Sequence, residues 1–137
     1  ALVLTTPVAK LGVAVCYVLR FPEPFLAMLE PLPDLIALPA AFTYRTGQAH
    51  WHTLLKARAI ENLCYVIAAA QTGVHPGGRR TYGHSLIIGP WGEVLAEAGE
   101  TPGFALAEMD AGYLERLRAQ FPVLTHRRLS SAATIAG

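Results

Sequence analysis

The sequence predicts an α/β fold with at least one sheet, on three observations. Short apolar runs of strand length recur along the chain, a longer central stretch repeats apolar residues at helical spacing, and turn-forming residues separate the two kinds of segment. Ala1–Thr5 and Leu11–Cys16 are apolar runs joined by a turn containing Pro7, which suggests a hairpin. Pro22–Glu30 fits a short helix, because Pro is tolerated in the first turn and Phe25, Leu26 and Leu29 form an apolar face. Asp34–Leu38 is a buried-strand run closed by Pro39. Between Gly47 and Asn62, Trp51, Leu54, Leu55 and Ala59 fall at helical spacing, and Leu63 continues the series. Cys64–Ala70 reads as a second buried strand, followed by a loop rich in glycine (Gly73, Gly77, Gly78). His84–Ile88 and Glu93–Ala96 read as strands about the turn Gly89-Pro90-Trp91-Gly92, with Trp91 expected to pack against the sheet. Phe104–Met109 reads as a further strand. Asp110 can cap a last helix running to about Gln120, since its carboxylate can accept orphan backbone N–H bonds. Residues 122–137 read as an extended tail.

Composition narrows the function. Of the 137 residues, 53% are hydrophobic and only 15% charged, which is apolar for a self-contained domain of this size. No apolar run approaches the roughly 20 residues a spanning helix needs. The expectation is therefore no membrane, and a chain that buries surface against something further. A net charge of +1 gives no electrostatic reason to expect nucleic acid, and Arg79-Arg80 and Arg127-Arg128 are too short to be basic tracts. Cys16 and Cys64 lack metal-type spacing and border apolar runs, which predicts reduced thiols and a cytoplasmic setting. The chain opens at Ala1 directly in strand-like sequence, so it is expected to be an excerpt of a longer protein.

Cys16 ends an apolar strand and precedes the helix opened near Pro22. A thiol at such a junction projects above the sheet edge, where backbone N–H groups can favour the thiolate and hold an oxyanion. By itself a cysteine ending an apolar strand is more often a small buried hydrophobe. The surrounding residues extend the reading. Cys16-Tyr17-Val18-Leu19-Arg20-Phe21-Pro22-Glu23 resembles the nucleophile segment of the nitrilase superfamily, the carbon–nitrogen hydrolases. The resemblance continues in order through Leu38-Pro39-Ala40-Ala41-Phe42-Thr43, His50-Trp51, Arg58-Ala59-Ile60-Glu61-Asn62, Ala68-Ala69-Ala70-Gln71 and Tyr82-Gly83-His84-Ser85. It points most nearly to the branch of ω-amidases and deaminated-glutathione amidases.

The resemblance implies an αββα sandwich of which residues 1–137 form the C-terminal half, so that Leu11, Val13, Val15, Ile36, Leu38, Val66, Ile67 and the alternating residues of Leu86–Ile88 are expected to lack much of their cover in this chain alone. It implies hydrolysis of a small amide bearing a carboxylate, through a thioester on Cys16, with the oxyanion held by the backbone N–H of Tyr17. It implies that Arg20 clamps the substrate carboxylate, with Phe42 and Thr46 completing the pocket. A homodimer is expected, and no cofactor. The general-base Glu, the second Glu and the Lys of the family precede the nucleophile strand, so the chain by itself is expected to be inactive. Four positions depart from the branch: Val18 and Gly89 where Asp is usual, Ala9 where Gly is usual, and Leu63 where Gln is usual.

Other residues carry weaker expectations. Arg20 could instead pair with Glu23. Glu23, Glu61, His84 and Ser85 are placed around the site without touching substrate. His50 and His52 lie two apart on a helix and point in different directions, so no shared metal is expected. Two alternative functions remain: an inactive homologue or fragment serving as an interaction module, and a thiol hydrolase in which His84 is the base for Cys16.

Overall fold

In the computed structural model, which describes residues 2–128, β1 (Leu2–Thr5) and β2 (Lys10–Val13) form the expected antiparallel hairpin. Its turn is closed by Thr6, whose N–H and hydroxyl both donate to the carbonyl of Ala9. A 3-10 turn spans Cys16–Arg20, and α1 (Pro22–Ala27) follows at once with proline in its first turn. Then come β3 (Leu35–Ala37), α2 (Tyr44–Asn62) and β4 (Tyr65–Ala68). β5 (Thr72–Val74) and β6 (Arg80–Tyr82) pair as a separate hairpin, and β7 (Leu86–Ile88), β8 (Val94–Glu97) and α3 (Ala111–Gln120) complete the order. The main sheet has six strands in the order β1-β2-β3-β4-β7-β8, with β2, β3 and β4 parallel at its centre.

Strand register divides the apolar residues between two faces, because successive side chains point to opposite sides. Gly12, Ile36, Val66 and Ile88 lie in one row and are buried. With Leu38, Ala68 and Leu86 they form the core with Phe25 of α1 and Trp51, Leu55 and Ala59 of α2. The opposite face carries Leu2, Val13, Ala37, Ile67 and Ile87 in one continuous row, and Leu4, Leu11 and Leu35 in the next. None of these eight is fully buried. Ile36, Leu38 and Val66, expected to lack cover if the chain is half of a sandwich, are instead sealed by the helices, because their parity puts them on the helix side. Leu11, Val13, Val15 and Ile67 keep the expected exposure.

Helix α2 begins three residues before the expected start, and Leu63 ends it in the left-handed conformation (φ 43°, ψ 57°) while its side chain is buried. Asp110 caps α3 as expected, its carboxylate accepting from the Tyr113 N–H at 2.8 Å. Arg118 of α3 reaches back to the carbonyls of Leu63 and Pro33 and to the Asp34 carboxylate, fastening the helix to the segments that open β3 and β4.

Four expectations are corrected. Phe104–Met109 joins no ladder; Phe104 and Leu106 are 86% and 82% exposed. The glycine-rich loop is a hairpin, β5–β6, whose turn is made by His75 to Gly78. Trp91 does not pack on the sheet; it stands edge-on against Phe121 and is 55% exposed. The tail is not extended throughout, since Val123–His126 forms a 3-10 turn; residues 129–137 of that tail lie outside the described residues.

Gly47 sits where α2 passes β6, and a methyl group there would lie 2.2 Å from the Tyr82 Cβ. Alanine is the better helix former by about 1 kcal/mol, so propensity and packing oppose each other. Overpacking of a close backbone approach costs about 1–3 kcal/mol. Gly47→Ala is therefore expected to lower stability in urea unfolding, and a gain would contradict this packing of helix on hairpin.

Candidate active site

The parallel ladder places Cys16. Its register continues beyond β2, with the Ala14 N–H donating to the Ala37 carbonyl and the Cys16 N–H to the Pro39 carbonyl at 2.9 Å. At Cys16 the chain leaves the sheet abruptly: the residue takes φ 47°, a left-handed conformation costly for anything but glycine, and opens the 3-10 turn. The side chain stands at the C-terminal end of the parallel strands, where α/β sheets bind ligands. A cavity of about 500 Å³ opens there, bounded by Cys16 and Val15, the Pro39–Ala41 corner after β3, the Ala69–Gln71 corner after β4, and Ser85. Four of the nine residues lining it are alanine, which leaves room above the thiol.

One backbone N–H reaches the thiol at this space. The Ala41 N–H is directed at the Cys16 sulfur, 3.5 Å away. The first bond of the 3-10 turn runs from the Val18 N–H to the Val15 carbonyl, so the turn itself gives the Tyr17 N–H no partner. Ser85 braces the far wall, its hydroxyl accepting from the Ala70 N–H at 2.9 Å.

A second cleft, about 320 Å³, adjoins Cys16 and is lined by Tyr17, Arg20, Phe42, Thr46 and Arg79. Cys16, Arg20, Phe42 and Thr46 are thus brought together. The Arg20 guanidinium lies over the rings of Phe42 and Tyr17, at 4.9 and 5.6 Å from their centroids. Its polar partner is His50, at 3.1 Å, and not Glu23. Glu23 is exposed on α1 and makes no ion pair among the described residues. The Thr46 hydroxyl bonds to Thr43 at the start of α2.

Glu61 reaches the site through Arg58. It holds the buried Arg58 at 2.7 Å, and Arg58 donates through Nε and Nη2 to the Leu19 carbonyl inside the nucleophile turn. His84 lines neither of the cavities at Cys16: its Nδ1 is hydrogen-bonded to Glu97 and its Nε2 lies 3.6 Å from Glu100. Val18, where the resembled branch usually has Asp, packs against the core.

Arg79 is the residue the sequence reading missed. Its guanidinium enters the Cys16 cleft and donates to the Ala41 carbonyl at 3.1 Å. Two short β-like triplets flanking His75-Pro76-Gly77-Gly78 were the available signal, since a hairpin there brings Arg79 back toward the sheet.

Both thiols are free, as expected, but their settings differ. Cys64 is fully buried in the core, and burial pushes its thiol up to about 12. Cys16 is partly open and lines both cavities. No helix among the described residues is long and apolar enough to cross a membrane.

Known proteins share this arrangement. Residues 2–119 match the carbon–nitrogen hydrolase family. A deaminated glutathione amidase from Bos taurus is 50% identical over 125 residues, covering 91% of this chain and 38% of the bovine protein. The crystal structure of the Caenorhabditis elegans NitFhit protein superposes with a TM-score of 0.86 at 50% identity, covering 90% of this chain and 30% of that one. An amidase from Nesterenkonia sp. AN1, whose structure shows acrylamide added to its active-site cysteine, has a TM-score of 0.71 at 32% identity and covers 90% of this chain and 48% of its own. The chain therefore spans less than half the length of these relatives. The match along nearly all of its described residues, in sequence and in fold, shows that the chain belongs to the carbon–nitrogen hydrolase family, within the nitrilase superfamily.

Proposed function

We propose that the protein hydrolyses small amides bearing a carboxylate, through a thioester on Cys16. The observation that carries this reading is the left-handed Cys16 at the strand end, opening into a cavity whose neighbouring cleft presents two guanidinium groups. The sulfur attacks the amide carbonyl, and the Tyr17 N–H receives the developing oxyanion. The C–N bond breaks, and the leaving nitrogen takes up the proton released by the thiol and departs as ammonia. Water then attacks the thioester carbonyl, freeing the acid and regenerating the thiol. Arg20, stacked on Phe42, is the planar donor that fits a carboxylate. Arg79 offers a second cation in the same cleft, suited to a longer substrate carrying a further anionic group.

The general base and lysine of the family are proposed to come from sequence preceding this chain. The apolar row Leu2–Val13–Ala37–Ile67–Ile87 supports the same view, because such a face left in water costs roughly 25 cal/mol per Å². A second sheet layer from the remainder of the protein would cover it, making the αββα sandwich, and two such sandwiches are proposed to pair as a homodimer in the cytoplasm.

Three results are expected. In the complete protein, Cys16→Ala lowers ammonia release from an ω-amide by at least about a thousandfold, as loss of a covalent nucleophile does; near-normal turnover would sink the thioester. Iodoacetamide at pH 8 labels Cys16 and spares Cys64, whose thiolate fraction at a pKa of about 12 is on the order of one in ten thousand. The 137-residue chain on its own self-associates and releases no ammonia, so a stable monomer by light scattering would argue against an uncovered sheet face.

A further inference from the structure

We propose that His52, His84 and Glu97 form a binding site for a divalent cation of the zinc class. The three come from distant parts of the chain: His52 from α2, His84 from the link between β6 and β7, and Glu97 from the end of β8. Folding brings one potential ligand atom from each to within 4.8 Å of the others. His52 Nε2 lies 3.2 Å from Glu97 Oε1, and His84 Nδ1 is hydrogen-bonded to the same oxygen. Zinc takes imidazole nitrogen and carboxylate oxygen at about 2.0–2.2 Å, so tetrahedral ligands stand about 3.4 Å apart. Small side-chain adjustments reach that geometry.

The surroundings hold the set in place. His84 is fixed in the left-handed region (φ 57°), and its carbonyl accepts from the Trp51 indole at 2.7 Å. Its ring stacks on Tyr82 at 4.2 Å. Its second nitrogen, Nε2, lies 3.6 Å from Glu100, a carboxylate held by Arg80 and Tyr44 and near enough to come to hydrogen-bond the imidazole when an ion is bound. The side chains of His52, His84 and Glu97 are 32%, 19% and 33% exposed, enough to admit an ion and leave a position for water. Two neutral imidazoles and one carboxylate suit a borderline cation better than calcium or magnesium, which favour oxygen donors. His50, two residues from His52, turns away to Arg20 and takes no part. The sequence expectation of no metal rested on the His50–His52 pair and on the spacing of the two cysteines.

The test uses the purified protein carrying Cys16→Ser, so that the exposed thiol cannot bind the ion. After chelation and desalting, zinc chloride is titrated by calorimetry. One zinc per chain is expected. Glu97→Gln and His52→Gln, both at partly exposed positions, should weaken binding by more than about tenfold, and Glu100→Gln by about tenfold. His84→Asn should do as Glu97→Gln does, with asparagine chosen because it tolerates the left-handed backbone. His50→Gln should leave the affinity unchanged. Circular dichroism confirms that each variant is folded, and zinc-edge absorption should report two imidazoles. No stoichiometric binding by the parent, or equal affinity in folded Glu97→Gln and His52→Gln, would overturn the site. Neither outcome bears on the thioester chemistry of Cys16.

Discussion

The contact on which the nucleophile's position most depends is that of Arg58 with the Leu19 carbonyl. A guanidinium removed from water must be satisfied by hydrogen bonds, because an unpaired buried charge is heavily penalised. Arg58 is 5% exposed, and its nitrogens are taken by Leu19 and Glu61 while its plane lies over Phe25. A helix whose main role is to cover the sheet is thereby tied to the turn that begins at Cys16. The turn cannot relax to a more comfortable backbone without leaving two buried N–H donors of that guanidinium without their acceptor. Strain at Cys16 is held by a charge-assisted contact from three residues further along the same turn.

The second constraint is the parallel trio β2, β3 and β4. Their carboxyl ends lie together, so the corners after β2, β3 and β4 meet at one edge of the sheet. Cys16 is the first residue past the first of these corners. The alanines at Ala40, Ala41, Ala69 and Ala70 line the others, and their small size makes the cavity. Larger side chains at those corners would fill the space into which the sulfur points. Thus the same ladder that builds the core also defines the room for chemistry.

The two faces of that sheet have different fates. Helices α1 and α2 seal one with Trp51, Phe25 and Leu55, while the row through Ile67 is only partly covered by the described residues. The partly covered row is as apolar as the sealed one. This is the pattern of an inner sandwich layer, and it agrees with a chain spanning 38% of its bovine relative.

Much of this was legible in the residues themselves. Period and turn chemistry located α2, the first hairpin, β3, β4 and the Asp110 cap, because those depend on neighbours near in sequence. The succession of motifs from Cys16 to Ser85 pointed to the family and to Arg20, Phe42 and Thr46. Other features required the tertiary fold. Phe104–Met109 has the alternation of a strand, but a strand also needs an unpaired edge beside it, which periodicity does not encode. The face on which Ile36 and Val66 lie was set by register with β2 and by where α2 lands. Arg79 entered the cleft only because β5 and β6 pair. Likewise His52 and His84, 32 residues apart and unremarkable singly, meet at Glu97 because α2 lies against the sheet on the side where β8 ends. Local sequence determines which segments can be helix or strand; contacts between residues far apart in the chain exist only once packing has chosen which segments are neighbours.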